Sequence, residues 1–190
     1  MKEKTNTPET EDEMMPKGNA LEGSIRNYRH ALDKSKNLLD KVYGEVSEGR
    51  EDKEGHFSLS DLLANGPVEI KEISTEFHET ISKLNVALNL QDGFFDPDPV
   101  AIVCGNNESV ATKAVFSSNT EFRGAIYGMD DVIAHFRYLI STICQTDIPE
   151  TGLGGNLDSL ESILNEGPER IEQNTDLIRA LILEIERVLF

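Results

Sequence analysis

The sequence predicts an α+β fold, mostly helical, with a small antiparallel β-hairpin or three-stranded meander packed against amphipathic helices. Three observations predict it. Apolar residues recur at helical spacing over most of the chain. One stretch, residues 99–127, instead joins short apolar runs to turn chemistry. The first nineteen residues carry no apolar period and read as a disordered polar tail, because they cannot bury enough surface to offset their ordering entropy.

From Leu21 the pattern changes. Leu21, Ile25, Tyr28, Leu32, Ser35, Leu39, Val42 and Val46 alternate steps of four and three, a heptad stripe broken only at Ser35. Residues 20–48 therefore read as one long helical arm of about eight turns. The charged, glycine-containing segment 49–56 reads as a linker, and 57–190 as a compact α+β domain. A stripe of this kind packs on its own domain, on a copy of itself or on a partner. Leu21, Ile25, Tyr28, Leu32, Leu39, Val42 and Val46 are accordingly the candidate partner-binding residues.

Ser60 is a candidate cap for a short helix over 61–64, which Asn65-Gly66-Pro67 stops. Ile70, Ile73, Phe77, Ile81, Leu84 and Leu88 place one apolar face on the next helix, ended by Gly93 and the prolines at 97 and 99. Val100–Cys104 and Val110–Phe116, separated by Gly105-Asn106-Asn107-Glu108-Ser109, predict a hairpin. Phe122–Tyr127 offers a third strand, interrupted at Gly124. After Gly128 a helix opens with Asp130 and Asp131 and buries Val132, Ile133, Phe136, Leu139, Ile140 and Ile143. A short helix at Leu157, Leu160 and Leu164 is divided by Gly167-Pro168 from the last one. There Ile171, Ile178, Ile182, Ile185 and Leu189 form a stripe that Leu177, Leu181, Leu183, Val188 and Phe190 widen almost around the rod. A helix so nearly apolar is buried in a core or covered by another chain. No repeat is visible at the periods of solenoid proteins.

The formal charge of −17 argues against direct binding to nucleic-acid backbones or anionic lipid, and favours a basic partner. It is unevenly spread: residues 18–55 hold seven Lys or Arg against eight acids, whereas 146–190 hold three Arg against ten acids. Cys104 and Cys144 are in no CxxC arrangement and read as reduced, buried thiols. Neither a secretory signal nor a membrane-spanning stretch stands out, so the chain reads as cytoplasmic and the Asn107 sequon as idle.

Motifs for chemistry are sparse. No P-loop or nucleophile elbow occurs, and Gly152-Leu153-Gly154-Gly155 lacks the strand a phosphate cradle needs before it. His78-Glu79 opens like a zincin helix, but Ser82 stands where the second ligand belongs. His135 shares a helix face with Asp131 and reads as a solvated pair. Asp92, Asp96 and Asp98 are the nearest approach to a cation site, although Asp-Pro runs form turns on their own account. No cofactor and no catalytic residue are indicated. The expectation is a non-catalytic interaction or regulatory accessory protein whose amphipathic helices meet a protein partner or a second copy. An acidic, nucleic-acid-mimicking blocker of a basic partner is the alternative, and a small-ligand sensor or enzyme on the 99–145 sheet-helix unit is a third.

Overall fold

The computed structural model describes residues 11–44, 58–90, 110–144, 157 and 159–190. They form four helices: α1 (Glu11–Tyr43), α2 (Leu59–Ala87), α3 (Val110–Cys144) and α4 (Leu160–Leu189). Among the described residues there is no strand, so the expected α+β class gives way to an all-helical one. The expected strands Val110–Phe116 and Phe122–Tyr127 both lie inside α3, which runs through Gly124 and Gly128 without a break. The first expected strand, Val100–Cys104, and its turn lie outside the described residues. α1 is already helical from Glu11, within the segment read as tail.

Two shorter breaks are also absent. α2 passes through Gly66-Pro67 and α4 through Gly167-Pro168. Proline in a helix interior costs about 3 kcal/mol. Burial of Leu62, Gly66 and Pro67 in one helix, and of Ile163, Leu164 and Gly167 in the other, offsets this, since each buried Leu or Ile contributes about 1.5–3 kcal/mol. The cap of α2 is Ser58 rather than Ser60: its Oγ accepts from the Asp61 amide at 3.1 Å. Ser159 caps α4 in a reciprocal arrangement with Ser162. α1 closes at Gly44, whose φ of +74° is the left-handed turn that favours glycine.

Each helix packs on two others in the ring order α1, α2, α3, α4 and back to α1; among the described residues the backbones of diagonal helices do not approach closely. Neighbours run in the same direction. Gly18 lies against Leu59 and Leu62, Ile25 against Gly66, and Lys36 pairs with Glu76, so position rises together along α1 and α2. Gly66 meets Phe122 and Phe77 meets Phe136 across α2 and α3. Ile126 meets Gly167 and Asp130 meets Arg170 across α3 and α4. Leu21 meets Gly167, Asn27 binds Glu172 and Lys41 binds Glu186 across α4 and α1. The bundle is parallel throughout. Parallel neighbours need connections that return nearly the length of a helix, roughly 35 Å from the end of α1 to the start of α2 at 1.5 Å per residue. Thirteen residues, 45–57, separate the described parts of these two helices.

The same register reveals an internal duplication. Ser58-Leu59-Ser60-Asp61-Leu62-Leu63-Ala64-Asn65-Gly66-Pro67 reappears as Ser159-Leu160-Glu161-Ser162-Ile163-Leu164-Asn165-Glu166-Gly167-Pro168, so residue n corresponds to n + 101. α1–α2 is thus repeated as α3–α4, at a period far longer than that of a solenoid. Every described buried position of α3, namely Phe122, Ala125, Ile126, Met129, Val132, Ile133, Phe136, Leu139 and Ile140, is the counterpart of a buried position of α1. An approximate twofold axis along the bundle relates the halves.

The core is built from both. Tyr28 stacks on Phe77 with ring centroids 5.2 Å apart, and Phe77 meets Phe136 edge-on at 5.8 Å. Ser35, which interrupts the heptad stripe, lies at this level and is fully buried, its hydroxyl donating to the Leu32 carbonyl at 3.0 Å. Its counterpart in α3 is Phe136.

The duplicated glycines differ in what they face. A Cβ on Gly66 would stand 2.6 Å from Cζ of the buried Phe122 ring, whereas one on Gly167 would meet nothing closer than 3.7 Å. Gly66→Ala is expected to destabilise by about 1–3 kcal/mol through overpacking. Gly167→Ala is expected to be neutral or to stabilise by up to about 1 kcal/mol through helix propensity. Urea unfolding of the two variants measures the contrast.

Candidate functional site

The long stripe of α1 turns inward. Leu21, Ile25, Tyr28, Leu32 and Leu39 are buried against α2 and α4, and Val42 is partly buried on the same core. Val46 lies outside the described residues, as do Asp92, Asp96 and Asp98. Among the described residues no three His, Cys, Asp or Glu side chains converge closely enough to hold a metal ion. No described helix is long and apolar enough to cross a membrane. Of the sheet-helix unit expected over 99–145, residues 110–144 are one helix, and 99–109 lie outside the described residues.

The duplication supplies an internal reference for the remaining positions, since each has a counterpart in the same fold. Where counterparts agree, the residue serves the bundle. Where they disagree, one half has acquired something.

Polar contacts between helices diverge in this way. Arg29 on α1 pairs with Glu69 on α2 at 3.2 Å. Their counterparts are Asp130 on α3 and Arg170 on α4, also 3.2 Å apart, with the charges exchanged. Asp130 additionally accepts from the buried Asn174 Nδ2 at 3.2 Å. Tyr28 and Ser74 share a buried hydrogen bond at 2.9 Å, and Ser74 Oγ donates to the Ile70 carbonyl. Burial holds the Tyr28 phenol well above its ordinary range, the Ser74 hydrogen bond opposing only in part. The counterparts are Met129 and Thr175. Methionine has no hydroxyl to offer, and the buried Thr175 Oγ1 has no hydrogen-bond partner.

A second divergence lies on the outer edge of the α2/α3 seam. His78 and His135 pack edge to face with ring centroids 4.7 Å apart. Burial lowers the affinity of His78 for a proton, His135 lowers it further, and Asp131 pulls the other way. Burial does the same to His135, opposed by the Asp131 charge and by a hydrogen bond to the Asp131 backbone. His135 and Asp131 share a helix face as expected, but His135 is half-buried against another histidine rather than paired in solvent. The counterparts across α4/α1 are Arg179 and Lys34.

The third divergence is apolar. Leu183 on α4 and its C-cap Phe190, seven residues apart, are 60% and 71% exposed. Their counterparts are Ser82 on α2 and Asn89, which lies past the end of α2 with φ of +52°. Helix spacing places them on the stripe that also holds Glu186, which reaches across to Lys41 of α1. The near-apolar circumference of the last helix is therefore only partly consumed by the core. Sequence reasoning placed Leu183 and Phe190 on the widened stripe of the last helix and named His78 and His135 separately, but it neither paired the histidines nor marked which part of the stripe stays exposed. The signal for both is the n + 101 correspondence, which exposes positions where the halves disagree.

Removing a hydroxyl is expected to have opposite consequences in the two halves. Ser74→Ala strands the Tyr28 phenol and costs about 1–3 kcal/mol. Thr175→Val removes a buried group with no partner and is expected to be neutral or stabilising. Thermal unfolding followed by circular dichroism distinguishes them.

No protein-family model matches the chain, and no curated protein and no solved structure matches it.

Proposed function

We propose that the chain is a non-catalytic protein-binding module whose docking surface is the outer face of α4 beside α1, centred on Leu183 and Phe190. The observation that carries this reading is their exposure, together with the polar Ser82 that α2 keeps at the position of Leu183. An apolar residue at that position is therefore not common to both halves of the bundle. Exposed Leu and Phe at one-heptad spacing suit an amphipathic helix laid along the seam.

The charge indicates the partner's character. A second copy would bring another −17 to the contact, whereas a basic helix with an apolar face would complement it. The partner is therefore read as a cationic amphipathic helix of another protein rather than as self. The acidic-mimic reading has less to rest on, because Glu69, Glu76, Asp130, Asp176, Glu184 and Glu186 are each tied to a base of the same chain. Carboxylates so engaged present weakened charge to a basic groove.

A photo-crosslinker placed at 183 or 190 in the full chain, expressed in its native host, is expected to capture one discrete adduct. The same probe at 82 or 89 should not. Leu183→Glu with Phe190→Glu should abolish capture from a neighbouring probe at 187 while leaving the helical circular dichroism and Tm unchanged. Equal adducts at 82 and 183, or a discrete adduct that survives the double substitution, would sink the proposal.

A further inference from the structure

The outer row of α4 is sorted by character along its length. Helix spacing places Glu166, Glu169, Gln173, Asp176, Ala180 and Leu183 on one exposed row, which the C-cap Phe190 continues. Acids stand at the start of this row and apolar groups at its end. The matched positions of α2 are Asn65, Val68, Glu72, Thr75, Glu79 and Ser82, also exposed, and there the acids are interleaved with neutral residues. The sorting is therefore not common to both halves.

Ion pairs sharpen the contrast between the two ends. Near the apolar end the acids are held by bases of the same chain, Glu184 by Arg187 and Glu186 by Lys41. At mid-length Asp176 is held by Arg179. Toward the start, no base among the described residues binds Glu166 or Glu169. Glu169 accepts only from the neutral Gln173 amide at 3.1 Å, and Glu172 beside it only from the Asn27 amide at 2.6 Å. Arg170, the base nearest to them in sequence, is turned inward to Asp130. A paired carboxylate attracts a partner weakly, so the attraction is concentrated over the first half of the helix.

Glu169 and Leu183 are fourteen residues apart, about 21 Å along the axis. The Debye length at physiological ionic strength is about 8 Å, so a base lying over Leu183 is screened from Glu169. It would meet only acids that Arg187 and Lys41 already hold. We propose that the helix received by α4 is itself sorted lengthwise, with its basic residues gathered in one half, over Glu166 and Glu169, and its apolar residues in the other, over Leu183 and Phe190. This inference rests on the reading of α4 as a docking face and specifies the sequence layout of the partner. Spanning residues 166 to 190 takes about 36 Å of helix, so the partner segment needs about 24 residues. Apolar contact at one end holds the complex, and charge at the other sets which amphipathic helix is accepted.

Synthetic helical peptides of equal length and composition, titrated against the full chain by fluorescence anisotropy, test it. One carries its lysines in one half and its leucines in the other, and is made in both sequence directions. A control peptide distributes both residue types evenly. In one direction the sorted peptide is expected to bind roughly tenfold or more tighter than the even one at low salt. Glu166→Gln with Glu169→Gln, both at exposed positions, should remove most of that advantage, as should high salt. Equal affinity of sorted and even peptides, or an advantage that the glutamine pair leaves intact, would overturn the sorted partner while the docking face stands. Binding that survives Leu183→Glu with Phe190→Glu, or no binding by any of the peptides, would overturn the docking face and this inference with it.

Discussion

Four helices pointing the same way align their dipoles side by side, and everything else in this bundle has to outweigh that arrangement. The partial charges at helix ends are worth about 0.3–1 kcal/mol each where solvent screens them. The chain moderates them locally. Asp61 and Glu161 lie in the first turns of α2 and α4, and Lys41 and Arg187 lie in the last turns of α1 and α4. The larger compensation is apolar. Each helix buries a stripe wide enough to touch two neighbours, and a single buried Leu, Ile or Phe contributes about 1.5–3 kcal/mol. With Tyr28, Phe77, Phe122 and Phe136 all fully buried, the core exceeds the dipole penalty severalfold. Parallel packing is tolerated because the heptad register is continuous around the ring.

Duplication makes that register, and divergence makes it specific. If the halves were identical, α1 would find equivalent partners in α2 and α4, and sliding by one heptad would change little. Exchanged charges at Arg29–Glu69 and Asp130–Arg170 remove this degeneracy, since placing Arg29 against Arg170 would juxtapose like charges. Volume does the same work in the core. Phe122 requires a glycine at 66, Leu21 leaves slack at 167, and the buried Ser35 has the buried Phe136 as its counterpart. A charge exchange and a volume exchange at matched positions together define which helix is which.

Much of this is legible in the residues, and the part that misleads does so for identifiable reasons. The 21–42 stripe marks α1 correctly, and Ile70, Ile73, Phe77, Ile81 and Leu84 mark the face of α2; all but the partly buried Val42 and the small or polar positions between them are buried hydrophobics. The mismatch lies in α3. Val110–Phe116 alternates, and Gly124 and Gly128 interrupt the apolar positions beyond it, so local rules suggest strands. Yet Phe122, Ala125, Ile126, Met129, Val132, Ile133 and Phe136 hold an unbroken helical phase straight through both glycines. A Cβ at either glycine would meet nothing within 4 Å, so they lie on the open side and cost the helix only propensity, about 1 kcal/mol each. Counting glycines as breakers without asking which face they occupy hides the helix. It also hides the repeat, because α3 is the part of the duplication that most resembles a strand.

The two seams that a histidine pair and a cation pair occupy show how matched positions of one fold take different polar solutions. On α4/α1, the Arg179 guanidinium finds its acceptors in Asp176 and the Asn27 carbonyl. On α2/α3, His78 packs edge to face on His135, and Thr75 stands where Asp176 would, its hydroxyl donated to the Lys71 carbonyl. The exchange removes the acid and the arginine together, so neither seam is left with one half of the pair. Matched positions therefore diverge in sets rather than singly, because a buried or half-buried polar group left without its complement costs about 1–3 kcal/mol.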